Sequence, residues 1–138
     1  MSLQYSTTLR NNQLDQVEAT VGTTARLRIY SGAPPANCAA AASGTLLVDM
    51  ALPSDWMAAA SGGSKAKSGS WTMTGDAGAG AGTAAGHFRI WDSGVTTCHM
   101  QGTITVTGGG GDMTLDNTSI ASGQTVTVNT FQINAGNA

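Results

Sequence analysis

This chain carries little charge. Only 10% of its 138 residues are Asp, Glu, Lys or Arg, and the net charge is −2. The basic residues Arg10, Arg26, Arg28, Lys65, Lys67 and Arg89 are scattered. Without a basic stripe there is no electrostatic footprint for a phosphate backbone, so nucleic acid is not expected as a partner. Aromatic residues are also scarce, at 5%. Trp56, Trp71, Trp91, Phe88, Phe131, Tyr5 and Tyr30 must therefore supply much of the large apolar volume of any core. A thin core of that kind leans on a partner subunit or an assembly. No apolar run is long enough for a transmembrane helix, so no membrane partner is expected.

Cysteine is rare as well. Cys38 and Cys98 stand sixty residues apart, and no CxxC occurs, which argues against a cysteine-based zinc site. The opening Met1–Ser6 is polar and lacks a basic n-region and an apolar h-region, so synthesis in a cytosol is expected. In that compartment the default is two separate thiols, with a disulfide as the alternative.

Glycine and threonine are abundant. The 19 glycines punctuate Thr/Val/Ile alternation, as in Gly102–Gly108. Alternation with period two is the mark of a half-buried strand, and glycine clusters mark the turns between strands. The length suits one domain. The reading is an all-β domain over residues 1–138, a jelly roll or β-sandwich with one short N-terminal helix. Residues 1–24 form an arm and the helix; residues 25–138 form the sandwich.

The helix signal lies at residues 6–22. Ser6 or Thr7 can cap it, Leu9, Leu14, Val17 and Val21 recur at helical spacing, and Gly22 can end it in a left-handed conformation. Strands are expected at Leu27–Tyr30 and at Thr45–Leu52, the latter with Leu46, Val48, Met50 and Leu52 inward and Asp49 outward. Residues 53–70 read as a loop with a helical turn at Trp56–Ala60, and Asp76–Gly86 as a Gly/Ala surface loop. A short strand is expected at Trp71–Thr74. A hairpin over Gly86–Asp92 and Thr97–Val106 is expected to turn at Ser93–Gly94. Asp112–Asp116 and Thr125–Asn134 complete the set. In the last strand Val126 and Val128 point inward with Phe131 and Ile133, and the change of phase requires a bulge near Asn129 or Thr130.

The equipment for catalysis is sparse. His87 and His99 fall in adjacent strands with Asp92 and Cys98 nearby, but their spacing does not enforce the convergence a metal needs. Cys98 and His99 are neighbours in one strand and point to opposite faces, which disfavours a Cys–His pair. No Gly-x-Ser-x-Gly elbow occurs. Asp49, Asp55, Asp92, Asp112 and Asp116 read as turn and surface carboxylates rather than a glycosidase pair. Neither Gly108–Gly111 nor Asp76–Gly86 has the register of a phosphate-binding loop. No catalytic, cofactor-binding or metal-ligating set is assigned, no cofactor is implied, and an enzyme is not expected. Trp71 and Trp91 are expected in the core. Trp56, in a loop after Pro53, is the candidate docking anchor or glycan platform.

Several blocks resemble small virion proteins of tailed bacteriophages. They are Leu27–Ala41, Gly44–Leu47, Gly86–Ser93, Gly102–Thr103 and Asn117–Ile120 through Phe131–Ile133. The resemblance runs from about Ser6 to the end, and its motifs are structural. It implies a capsid decoration or cement protein, similar to those of short-tailed phages. Such a protein sits on the outside of an HK97-like icosahedral shell, binds the major capsid protein and bridges capsomers. Self-association as a dimer, or alternatively a trimer, goes with that role, as does a place on the virion surface after synthesis in the host cytoplasm. The alternatives are a tail or head–tail joining protein, or a glycan-binding module of the virion surface.

Overall fold

A computed structural model describes residues 3–136. Helix α1 spans Thr7–Val21. Ser6 caps it, its Oγ accepting from Leu9 N at 3.1 Å and so satisfying one of the orphan donors of the first turn. Gly22 ends it with φ of 92° and ψ of 178°, positive in φ as expected but extended in ψ. Only part of the expected apolar face is covered. Leu14 and Val21 are buried and Val17 is half-buried, whereas Leu9 is 45% exposed.

Nine strands follow: β1 Arg26–Ser31, β2 Leu46–Ala51, β3 Ser64–Ala66, β4 Thr72–Thr74, β5 Thr83–Trp91, β6 Cys98–Val106, β7 Met113–Leu115, β8 Ser119–Ile120 and β9 Thr125–Asn134. They form an all-β core whose main sheet has the order β2-β1-β5-β6-β7-β9-β3, with β4 also paired to β9 and β8 to β5. This seven-strand path is curled into an open half-barrel. All neighbours are antiparallel except β6 and β7.

The parallel β6–β7 step explains the glycine run. A parallel crossover ordinarily takes a dozen or more residues. Here residues 107–112 suffice because the chain doubles back against Thr105. A Cβ on Gly109 would lie 2.7 Å from Thr105 Cβ, and one on Gly111 would lie 2.8 Å from Thr105 N. Gly111 N instead donates to Thr105 Oγ1 at 2.9 Å.

The bulge expected in the last strand is present. Thr114 faces Thr130 and Leu115 faces Val128, leaving Asn129 as the extra residue. This shift lets Val126, Val128 and Phe131 all be buried. A second irregularity corrects the reading of β2. Tyr30 pairs with Leu46 and Ile29 with Val48, so Leu47 is skipped and buried together with Val48. Met50, expected inward, is only half-buried.

Three loop assignments also change. Residues 64–66 are strand, paired to the end of β9. Trp56–Ala60 is extended rather than helical, and Met57 bridges to Lys67. The Gly/Ala stretch is a 3-10 turn at Ala77–Ala79, capped by Asp76 Oδ1, and then the first residues of β5. Ala79 is buried, and Asp76 N donates to Leu47 O at 2.7 Å. Small side chains permit that close packing, which composition alone reads as a surface loop.

The core is one cluster with an aromatic spine. Trp56 and Trp71 have ring centroids 6.2 Å apart, Trp71 and Phe131 5.6 Å, and Phe131 and Phe88 5.5 Å, the last edge-on. Leu27, Ile29, Ile90 and Met113 fill in beside it.

Candidate functional site

Strand β5 is buried continuously from His87 to Ile90, although alternation predicts one wet face. Both of its faces are covered. Phe88 and Ile90 join the core, while His87, Arg89 and Trp91 form the opposite face together with Arg26, Arg28 and Tyr30 of β1 and Gln101 and Cys98 of β6. Pairing register sets that neighbourhood: Arg28 lies opposite Arg89, Tyr30 opposite His87, Gln101 opposite Arg89, and Cys98 opposite Trp91. The connection from Gly32 to Thr45 lies over this layer.

The layer is polar and cationic. Asp49 of β2 takes Arg26 Nη2 at 2.8 Å and Arg28 Nη2 at 2.9 Å, all three side chains being partly buried. Burial acts to lower the Arg28 pKa, but the hydrogen bond and charge of Asp49 outweigh it and hold the guanidinium above its ordinary value. Arg89 is fully buried and has neutral acceptors: Gln101 Oε1 at 3.0 Å and Asn37 O at 3.0 Å from Nη2. Its guanidinium also lies 5.5 Å from the centre of the Trp91 ring, a cation–π contact. Gln101 Nε2 donates to Pro35 O at 2.6 Å. The Pro34–Pro35 stretch thus cannot donate from its own nitrogens, and side chains beneath it meet its carbonyls instead.

His87 is fully buried here, stacked on Tyr30 at 5.2 Å with rings 12° apart. Its Nδ1 is 2.9 Å from Gly32 O. A carbonyl can only accept, so Nδ1 carries the proton. His99 lies elsewhere. It is part of the bulge between Met100 and Cys98 and borders a groove against α1 with Gln13, Gln16, Val17 and Thr20. The two histidines are therefore not brought together, since His87 pairs with Thr103. Cys98 opens to the loop side, whereas His99 and its neighbour Met100 both border the helix side, because the bulge breaks the alternation of the strand.

The carboxylates act as acceptors for their own surroundings. Asp112 Oδ2 receives Thr103 N at 2.9 Å and Thr103 Oγ1 at 3.0 Å. Asp116 Oδ1 receives Thr127 N at 3.0 Å. Asp92 Oδ1 receives Thr96 N at 2.7 Å and Thr97 N at 3.2 Å, and its Oδ2 receives the Thr96 hydroxyl. The Thr96 hydroxyl above all, then these amides, hold the Asp92 carboxyl below its usual range. This Asp92-centred loop spans 92–97, longer than the two-residue turn that Ser93–Gly94 suggests. Asp55 lines a cleft of about 690 Å³ with Asp15, Glu18 and Lys65.

Trp56 corrects the sequence reading most sharply. It is fully buried, and its Nε1 donates to Gly22 O at 3.0 Å, closing the end of α1. It is a core residue and offers no platform to a glycan. Trp71 is core, as expected, whereas Trp91 is only half-buried.

No family model, curated protein or solved structure matches the chain.

The outward features concentrate at the N-terminus and at sheet edges. Leu3 is 73% exposed, Tyr5 40% and Leu9 45%, three of the four exposed large hydrophobics among the described residues. The spacing predicts Leu9 in the buried face, but the first half of α1 docks through polar side chains instead, with Arg10 Nη1 donating to Ala135 O at 3.3 Å and Gly63 N donating to Asn11 Oδ1 at 2.9 Å. Beyond the short β7, strands β6 and β9 diverge. A groove of about 350 Å³ opens there, lined by Met100, Gln101, Asp112, Gln132, Ile133 and Asn134.

Proposed function

We propose that this chain is a structural protein of a tailed-phage virion, a decoration or cement protein that docks on the outside of an icosahedral capsid. The observation that carries the reading is the apolar arm. Leu3, Tyr5 and Leu9 project within one short stretch at the start of α1, on a protein otherwise poor in exposed large hydrophobics. Clustered exposure of this kind marks an interaction surface, whereas single exposed residues do not. The resemblance of Leu27–Ala41 and Gly86–Ser93 to phage virion proteins supplies the partner class, the major capsid protein of an HK97-like shell.

The sheet supports the same role. An open half-barrel leaves room in the β6–β9 groove, where another strand can pair. Closure of this half-barrel into a jelly roll or sandwich, through a second copy or the capsid itself, completes the proposal. Dimers are expected, with trimers as the alternative. Repetition over the shell then turns weak individual contacts into large total stabilisation.

The test is binding of purified protein to undecorated capsids by co-sedimentation. The wild type should saturate at a fixed ratio to the capsid protein. A Leu3→Asp/Leu9→Asp variant with an unchanged circular dichroism spectrum should lose binding at least about tenfold, the scale of two anchor side chains. Undiminished binding by that variant would remove the arm from the account. Absence of binding by the wild type would remove the role.

A further inference from the structure

The two cysteines, far apart in sequence, meet at one cleft. The connection from Gly32 to Thr45 is fastened across the outer face of β5 and β6 by Arg89 Nη2 on Asn37 O and by Gln101 Nε2 on Pro35 O. Its end is fastened by Thr45 N on Ser31 Oγ at 2.9 Å. Ala40 N turns back onto Asn37 Oδ1 at 3.0 Å, and Cys38 sits within that turn. Cys98 is the first residue of β6 and pairs with Trp91, so it stands on the same face as Arg89 and Gln101. Cys38 and Cys98 thus arrive from opposite sides of one cleft of about 490 Å³, which Ala39–Ala41, Trp91, Thr96 and Thr97 also line. Both thiols are free and half-buried.

We propose that Cys38 and Cys98 are a redox pair that closes to a disulfide and locks the 32–45 connection onto the β5–β6 hairpin. The site is made for it in three respects. The connection is already anchored one residue away, at Asn37, so closure orders little additional backbone. Cys98 lies at a strand end, next to the 92–97 loop, where small adjustments are cheap. The Cys38 thiol lies beside the Cys98 thiol, and burial together with that neighbour pushes Cys98 up to about 11. The Cys98 thiol therefore stays protonated at neutral pH and exchanges slowly until an oxidant arrives.

The oxidant class is a small-molecule disulfide such as glutathione disulfide. One cysteine thiolate attacks it, breaks its S–S bond and releases one glutathione thiol, leaving a mixed disulfide on the protein. The other cysteine, as thiolate, then attacks the protein sulfur and expels the second glutathione. The protein loses two hydrogens and two electrons, and glutathione disulfide gains both. A reducing cytosol keeps the pair open and an oxidising exterior closes it. The inference does not depend on what the protein docks to.

The test uses the full chain, reduced and then equilibrated with a glutathione disulfide–glutathione mixture. Intact mass spectrometry should show the loss of two hydrogens, both cysteines should cease to react with iodoacetamide after denaturation, and a non-reducing digest should yield a Cys38–Cys98 linked peptide. The Cys38→Ser variant should give only a glutathione adduct at Cys98. Wild-type thiols that remain alkylatable, that stop at mixed disulfides, or that link two chains would each overturn the proposal.

Discussion

Lys65 should be among the costliest charged residues to remove. Its side chain is only 3% exposed, yet its ammonium is fully used: Asp15 Oδ1 at 2.8 Å, Glu18 Oε2 at 2.9 Å and Ala58 O at 2.9 Å. The same carboxylates hold the 57–60 backbone, through Met57 N on Glu18 Oε1 at 3.2 Å and Ala60 N on Asp15 Oδ1 at 3.0 Å. The cluster is thus the bolt between α1 and the β3 edge. Removing one partner of a buried ion pair costs about 3–5 kcal/mol because the other charge is stranded. Asp15 and Glu18 keep 47% and 20% exposure, so water recovers part of that, and Lys65→Met should cost about 2–3 kcal/mol. In urea unfolding this appears as a lower midpoint at unchanged slope, and in thermal unfolding as a drop of about 10 °C. The double variant Lys65→Met/Glu18→Gln should recover part of the loss. A single-variant cost below about 0.5 kcal/mol, the range of an ordinary surface substitution, would refute the assignment of this cluster as a structural bolt.

The same cluster sets a pH dependence. Burial opposes the Lys65 charge, but hydrogen bonds to Asp15 and Glu18 outweigh it and raise its pKa, so its contribution is complete below the ordinary lysine range and fades as pH climbs through the raised value. The Lys65 hydrogen bond lowers the Asp15 pKa, so that contribution is complete above the ordinary carboxylate range and fades as pH falls through the lowered value. Stability measured by denaturant titration should therefore be flat near neutrality with respect to this pair and decline at both extremes; loss between pH 6 and 8 in wild type but not in Lys65→Met would contradict it. Trp56→Ala should cost about 3–5 kcal/mol by urea unfolding, as a cavity in a fully buried aromatic site does; a cost under about 1 kcal/mol would return Trp56 to the surface. Gly111→Ala drives a Cβ to 2.8 Å from Thr105 N, so it should lower the melting temperature markedly, whereas Gly108→Ala, which meets no neighbour but has φ of 85°, should cost only about 1 kcal/mol. Oxidation of the cysteine pair should raise unfolding free energy by up to about 4 kcal/mol, the loop-closure value for a ring of this span; an oxidised form no more stable than the reduced one would mean that closure strains the fold.

Much of the architecture is legible in the sequence because it rests on local periodicity. The helix follows from its Ser6 cap and from where Leu and Val stand, and the long strands β5, β6 and β9 and the bulge at Asn129 follow from where Val, Ile and Phe stand. What is hidden depends on long-range partners. The strand at Ser64–Ala66 has no apolar alternation; it exists because β9 offers it an edge. The parallel placing of β7 beside β6 requires Gly109 and Gly111 to meet Thr105, a contact that the glycine run hints at but does not specify. Trp56 looks exposed because its neighbours are Pro53, Ser54 and Asp55, yet the end of α1 closes over it. The polar layer under residues 32–45 was equally hidden. His87, Arg89 and Trp91 alternate with Phe88 and Ile90 as a solvent face would, and only the overlying connection makes that face an interior. The meeting of Cys38 with Cys98 follows from the same covering.

Quantitative mass spectrometry of purified virions tests the functional account most directly, by comparing copies of this chain with copies of the major capsid protein. A decoration protein repeated over the shell predicts a ratio near one to one, or a simple fraction of it. A ratio of a few per cent would place the chain at the tail or connector, and its absence from the particle would contradict the account.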